Sequence, residues 1–210
     1  MQCIKDTIKN INIVIGCSIG CSYCYARMNN NRFHTIDDFN KPIFFENKLK
    51  MLDNKRHSAY LLTGQSDLSG WDEEWKDKVF SKMKENENTQ YIFLTKRPEN
   101  INLKETPDNG WFGVTVTSSK EKTRIDYLRN NIKAKHYHIT FEPMFDDIGK
   151  LDLSNISWIV IGTETGNRKR KISSKREWVF NIYNQAKEKN IPLVMKEDLL
   201  GILNEDEFVQ

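Results

Sequence analysis

The stretch Ile11-Asn-Ile-Val-Ile15-Gly16-Cys17-Ser-Ile-Gly-Cys21-Ser-Tyr-Cys24 joins an apolar run to three closely spaced cysteines. The run reads as a strand, and the C-x3-C-x2-C spacing places three thiols on the tight loop after it. Thiolates held so close repel one another unless a metal or cluster neutralises them. Iron–sulfur clusters draw Cys ligands from such short spacings, and a 4Fe–4S cube offers four ligand positions. Three local ligands leave one iron for a partner outside the polypeptide. A zinc site is the competing reading, with Cys3 or His34 as fourth ligand. Structural zinc, however, favours two separated pairs, and the sequence holds no second pair. A disulfide fits poorly, because the N-terminus lacks a secretory pattern and a close triplet cannot all pair.

Outward from this loop, short apolar runs recur at Ile11–Ile15, Ala59–Leu62, Tyr91–Leu94, Trp111–Val116, His136–Phe141, Trp158–Ile161 and Pro192–Met195. Most do not alternate cleanly, the pattern of strands buried on both faces of a parallel sheet. Helical patterns lie between several of them. Asp72–Asn86 spaces Trp75, Val79 and Met83 four apart on one face. Ser118-x-x-Glu121 and Ser174-x-x-Glu177 read as capping boxes, the first ahead of Ile125 and Leu128, the second ahead of Trp178, Ile182 and Ala186. The last helix is expected to end near Asn190, before Pro192.

The βαβα order predicts an α/β fold. A full eight-fold barrel takes about 250 residues, and the chain has 210. An open, partial parallel β/α barrel of about six strands plus a possible seventh fits better. A flat doubly wound sheet satisfies the same pattern, but no G-x-G-x-x-G follows the first strand. In α/β barrels, ligands sit at the carboxyl ends of the strands. Those ends carry the cysteine loop, Thr63-Gly-Gln-Ser66-Asp67, Thr95-Lys96-Arg97, Thr115 and Thr117, Glu142-Pro143, Thr163-Glu164-Thr165 and Lys196-Glu197. Glu142 and Glu164 stand out, since a carboxylate after an apolar strand is costly unless paired or used. Lys196 is a natural partner for either.

Composition sets the outer bounds. With 38% hydrophobic and 29% charged residues, residues 1–210 suit a single globular domain with a short acidic C-terminal tail. Formal charge is +3, which selects no partner class. No stretch approaches the ~20 apolar residues of a membrane span. Reduced thiols without a targeting segment suggest a cytoplasmic protein and no membrane association. Charge is uneven along the chain: Arg168, Lys169, Arg170, Lys171, Lys175 and Arg176 form a basic segment without an acid. After Lys196 come Glu197, Asp198, Glu205, Asp206 and Glu207 with no cation.

The cysteine loop, with Tyr23 before its third cysteine, resembles the radical SAM superfamily. So do Leu94-Thr-Lys-Arg-Pro98-Glu99, Gly113-Val-Thr-Val, Thr140-Phe-Glu-Pro143 and Ile159-Val-Ile-Gly-Thr-Glu-Thr-Gly166, which together are similar to a small phage and mobile-element branch, radical SAM mobile pair protein A. The resemblance spans nearly the whole length. It implies that Cys17, Cys21 and Cys24 each hold one iron of a 4Fe–4S cluster, whose fourth iron chelates S-adenosylmethionine. Reductive cleavage of that cofactor would yield a deoxyadenosyl radical that takes a hydrogen atom from substrate. In the superfamily the second strand commonly ends Gly-Gly-Glu and touches the methionine amine. Here Gly64-Gln-Ser66-Asp67 departs from that, leaving Ser66 and Asp67 as candidates. Thr115 and Thr117 correspond to the ribose contact, and Tyr23 to the adenine side. The resemblance also implies an external electron donor and a second radical SAM protein as partners.

The substrate is not legible. The basic segment from Arg168 to Arg176 would rim the barrel mouth, where its cations could neutralise phosphates of a nucleic acid or nucleotide. A solvated loop or a surface for an acidic partner fits the same residues. Trp71 and Trp111 are candidates for stacking on bases, though core positions suit them equally. A non-catalytic zinc or iron–sulfur module acting in partner or nucleic-acid binding is the alternative to an enzyme.

Overall fold

The computed structural model describes residues 7–54, 56–166 and 168–208; Cys3, weighed above as a ligand, lies outside them. Seven parallel strands form one curled, open sheet, a half-barrel, in the order β1-β4-β5-β6-β7-β8-β9. They are β1 (Ile8–Asn10), β4 (Ala59–Leu61), β5 (Gln90–Thr95), β6 (Gly110–Thr115), β7 (His136–Phe141), β8 (Ile156–Ile161) and β9 (Leu193–Met195). The expected partial parallel barrel is therefore present, and its seventh strand is β9.

Among the described residues four helices pack around this sheet: α1 (Tyr25–Phe33), α2 (Glu73–Lys84), α3 (Thr123–Asn131) and α4 (Arg176–Glu188). A parallel strand pair needs a crossover, and α2, α3 and α4 supply it after β4, β6 and β8. Strand parity then sorts the side chains. Phe93 and Phe112 are paired in register and stack at 4.9 Å on the outer face, with Phe80 of α2 edge-on to both. Ile125 and Leu128 of α3 and Val179, Ile182 and Ala186 of α4 are buried in the same core. Each fully buried aromatic or branched side chain contributes roughly 1.5–3 kcal/mol. The opposite face of each strand lines the concave interior.

The apolar run Ile11–Ile15 is not the first barrel strand. That strand is β1, just upstream, and it continues only to Ile11, whose N–H reaches Leu61 O at 3.0 Å. Val14–Ile15 form β2, an antiparallel ribbon with β3 (Ile43–Phe44). Ile11, Ile13, Val14 and Ile15 are all buried, so burial without alternation reported the run's depth but not its partner. Gly16 then turns at φ +116°, and a Cβ there would press to 2.8 Å from Pro42 Cα. Only glycine fits this entry to the cysteine loop.

Neither expected capping box forms. Ser118 makes no side-chain cap; Glu121 instead accepts from Thr117 N at 2.7 Å and Thr117 Oγ1 at 2.8 Å. Ser174 is buried, its N–H donating to Thr163 Oγ1 and its hydroxyl to Met144 O, both at 3.0 Å. α4 starts one residue later, after Lys175. At Ser174 tertiary partners outcompete the local cap, whereas at Ser118 the glutamate of the box is taken by its neighbour Thr117.

Candidate functional site

A cavity of about 670 Å³ fills the concave side of the half-barrel and opens at the carboxyl ends of the strands. Cys17, Cys21 and Cys24 all line it, each a free thiol and half-buried. The loop that carries them is tied down locally. Gly16 N donates to Gln65 O at 3.0 Å, and Cys17 N to Phe39 O at 2.6 Å. Cys24 caps α1, its sulfur accepting the Arg27 N–H at 3.4 Å. The Arg27 guanidinium donates to Cys17 O at 2.7 Å and lies 5.0 Å from the Phe39 ring centroid. First and third cysteines are thus joined through one arginine. Burial pushes the Cys17 thiol pKa up, and the neighbouring Asp67, Cys21 and Cys24 add to that.

Most of the polar residues read from the strand ends meet on this cavity. Tyr23, Ser66, Asp67 and Thr115 line it, as do Glu142, Glu164 and Lys196. Thr117 does not; its hydroxyl serves Glu121. Tyr23 packs edge-on against Phe145 at 5.3 Å with the Lys96 ammonium 5.9 Å from its centroid. Burial raises its phenol pKa, reinforced by Cys21. Asp67 is buried and fully engaged, accepting from Ser69 N, Ser69 Oγ, Thr95 Oγ1 and Lys96 N at 2.6–3.0 Å. Ser66 Oγ accepts the Trp71 indole N–H at 2.9 Å.

The carboxylates at the mouth are paired. Lys196 bridges to Glu142, with Asp198 at 3.8 Å. Burial alone would lower the Lys196 pKa, but Glu142 and then Asp198 outweigh it and the net shift is upward. Glu164 is buried and takes both Arg168 Nε and Nη2, the latter at 2.7 Å, and the Ile172 N–H at 3.2 Å. The arginine holds its carboxyl below the usual carboxylate range. The acidic tail is folded back: Asp198 accepts the Thr163 N–H, and Glu207 binds Arg176.

Other expectations are redirected. His34 is exposed at the far end of α1, roughly 14 Å from the Cys24 end by helical rise, and is no ligand for the loop. Trp71 is buried in the core. Trp111 stacks on His136 at 4.4 Å and donates to Gln90 Oε1 at 2.8 Å, at the opposite end of β6 from the mouth. Neither tryptophan is presented to a ligand.

Several lining residues escaped the sequence reading. His138 lies in the wall, fully buried, with Nε2 3.1 Å from Phe93 O. A carbonyl only accepts, so Nε2 carries the proton and the buried, unpartnered Nδ1 keeps its lone pair. Stepping back by two from Glu142 along β7 gives Thr140 and then His138; that parity was the available signal. Tyr25, which follows Cys24, donates its hydroxyl to Gly64 O at 2.6 Å across the mouth.

Among the described residues no three His, Cys, Asp or Glu side chains converge on a point suited to a single metal ion. No helix among them is long and apolar enough to cross a membrane. The family described as a protein of unknown function, DUF5131, matches residues 2–201, and the chain belongs to it. No curated protein and no solved structure matches the chain.

Proposed function

We propose that this DUF5131 protein is a radical SAM enzyme, with Cys17, Cys21 and Cys24 as ligands of a 4Fe–4S cluster and S-adenosylmethionine as the cofactor held beside it. The observation that carries the reading is three free, half-buried thiols opening onto one large cavity whose rim is polar. Their donor set suits iron–sulfur chemistry. When bound, the group supplies an electron that cleaves S-adenosylmethionine to methionine and a deoxyadenosyl radical.

The chain's own residues bind and orient. Arg27 fixes the spacing of Cys17 and Cys24 through the Cys17 carbonyl. Glu142 and Glu164, already paired with Lys196 and Arg168, present hydrogen-bonding edges without bringing unpaired charge into the site. Thr115 adds a buried hydroxyl to the cavity wall. Tyr23, within the cysteine loop, offers apolar ring surface to an adenine. Asp67 acts one step away, holding the β4 and β5 loops together. On this reading the partners are an external electron donor and a second radical SAM protein. The substrate is a nucleic acid or nucleotide met by the basic loop Arg168–Arg176, and the compartment is the cytoplasm.

Anaerobic reconstitution tests the proposal. About four irons and four sulfides per chain are expected, with deoxyadenosine released when reductant and S-adenosylmethionine are added. Cys21→Ala should abolish both iron retention and deoxyadenosine formation while far-UV circular dichroism stays native. Zinc in place of iron, or a cluster that never turns over the cofactor, would instead make the chain a non-catalytic binding module.

A further inference from the structure

We infer that the loop after β8 is a docking surface for single-stranded nucleic acid, with Lys169, Arg170 and Lys171 on its phosphates and one base turned into the cavity against Tyr25. The inference rests on the reading of that cavity as a substrate site.

The loop is built rather than loose. The Glu164 carboxylate takes the Arg168 guanidinium from one side and the Ile172 N–H from the other, closing the segment around itself. Ser174 pins the next turn to Thr163 and Met144, and Arg176 is held by Glu207. Lys175 lies over the Trp178 ring at 5.2 Å. Three of the six cations are therefore occupied by the fold. The other three are consecutive and exposed, and Arg170 adopts the left-handed conformation, φ 59°, at the tip. Glu164, which lines the cavity with Thr165 and Gly166, is bonded to both Arg168 and Ile172 on either side of this tip. Glu164, the carboxylate on this loop, is already paired with Arg168, so Lys169, Arg170 and Lys171 leave the loop net positive for an incoming phosphate.

Across the mouth, Tyr25 supplies an aromatic face. Its ring is fixed by the hydrogen bond to Gly64 O, yet 51% of the residue remains exposed on the cavity wall. Met28, one turn along α1, is also exposed there. A cavity of about 670 Å³ falls within the range that accepts small ligands and has room for a nucleoside. A duplex keeps its bases stacked and has none to place there, whereas a single strand does. An acidic polypeptide would satisfy the cations but leave the ring and the recess unused.

Fluorescence anisotropy with labelled oligonucleotides of about twelve residues tests this on the full chain, both iron-free and reconstituted. Three phosphate contacts predict a log–log salt slope of about −2 for a single strand, or roughly fifteenfold weaker binding from about 50 to 200 mM salt. The triple change K169A/R170A/K171A should bring the slope close to zero and weaken low-salt binding by about tenfold or more. The charge-preserving set K169R/R170K/K171R should bind like the native chain. Tyr25→Leu should cost about tenfold with the slope unchanged, and a duplex of the same sequence should bind much more weakly. No binding at low salt, an unaltered slope in the triple variant, or equal affinity for polyglutamate overturns the inference. So does an unchanged affinity in Tyr25→Leu. Because the measurement needs no iron, a chain that binds the strand but never loads a cluster would sink the radical SAM reading alone. One that turns over cofactor but ignores the strand would sink only this inference.

Discussion

His138 occupies space that the sheet provides at one position, opposite Gly113 in the β6–β7 register. A Cβ on Gly113 would overlap the imidazole. Gly113→Ala should therefore destabilise the fold by about 1–3 kcal/mol, the usual cost of overpacking, as a drop in urea midpoint. Burial also pushes the His138 pKa down to about 4. The folded ring is then neutral at neutral pH, while in the unfolded chain it binds a proton near pH 6.5. Its contribution is complete above that pH and is lost as pH falls toward about 4. At about 1.4 kcal/mol per unit the loss approaches ~3 kcal/mol. Urea titrations at neutral and mildly acid pH should show it, and His138→Phe should shrink the difference between them. The position was readable in principle, since it shares parity with Thr140 and Glu142. The left-handed turn of Gly16 was less so: its cause is Pro42, distant in sequence and adjacent only in the fold.

Elements differed in legibility according to what stabilises them. β5, β6, β7 and β8 announce themselves because apolar runs such as Tyr91–Leu94 are buried by helices outside and cavity wall inside. α1 was silent. Its sequence Tyr-Ala-Arg-Met-Asn-Asn-Asn-Arg-Phe has no apolar period, and it is docked by Ala26 and a buried Asn30 that exchanges hydrogen bonds with Ile36 N and O at 3.0 and 2.9 Å. Such an anchor is specific to its partner and leaves no pattern. The Ser174 cap failed for the mirror reason: a local motif was present and a tertiary acceptor, Met144 O, took its hydroxyl. Asp67 ties the loop after β4 to the end of β5. Asp67→Ala would leave Ser69 N, Thr95 Oγ1 and Lys96 N without their acceptor. At roughly 1–3 kcal/mol for each buried unsatisfied donor, a loss of about 3 kcal/mol or more is expected in chemical denaturation. Asp67→Asn should recover part of it.

At the scale of the molecule, the half-barrel and the gathering of polar strand ends onto one mouth were legible, because parallel strands place all their carboxyl ends on the same side. Lys196 was legible as a partner for one of the two glutamates, but its choice of Glu142 and the capture of Glu164 by Arg168 depend on distances across the fold. The acidic end is likewise part of the structure. Phe208 is buried in the core and Glu207 holds the basic loop through Arg176. Truncation after Leu203 should lower stability by about 3–5 kcal/mol through loss of the phenylalanine. It should also make the Arg168–Arg176 segment the first site of tryptic cleavage in limited proteolysis. Finally, the sheet tapers. Its inner strands β5 to β8 run six residues each, whereas β1 and β9, at the two margins, run only three. A foreign strand arriving at either flank would find a ladder too brief to grip. An unclosed barrel can thereby stay open without recruiting copies of itself into a continuous ribbon.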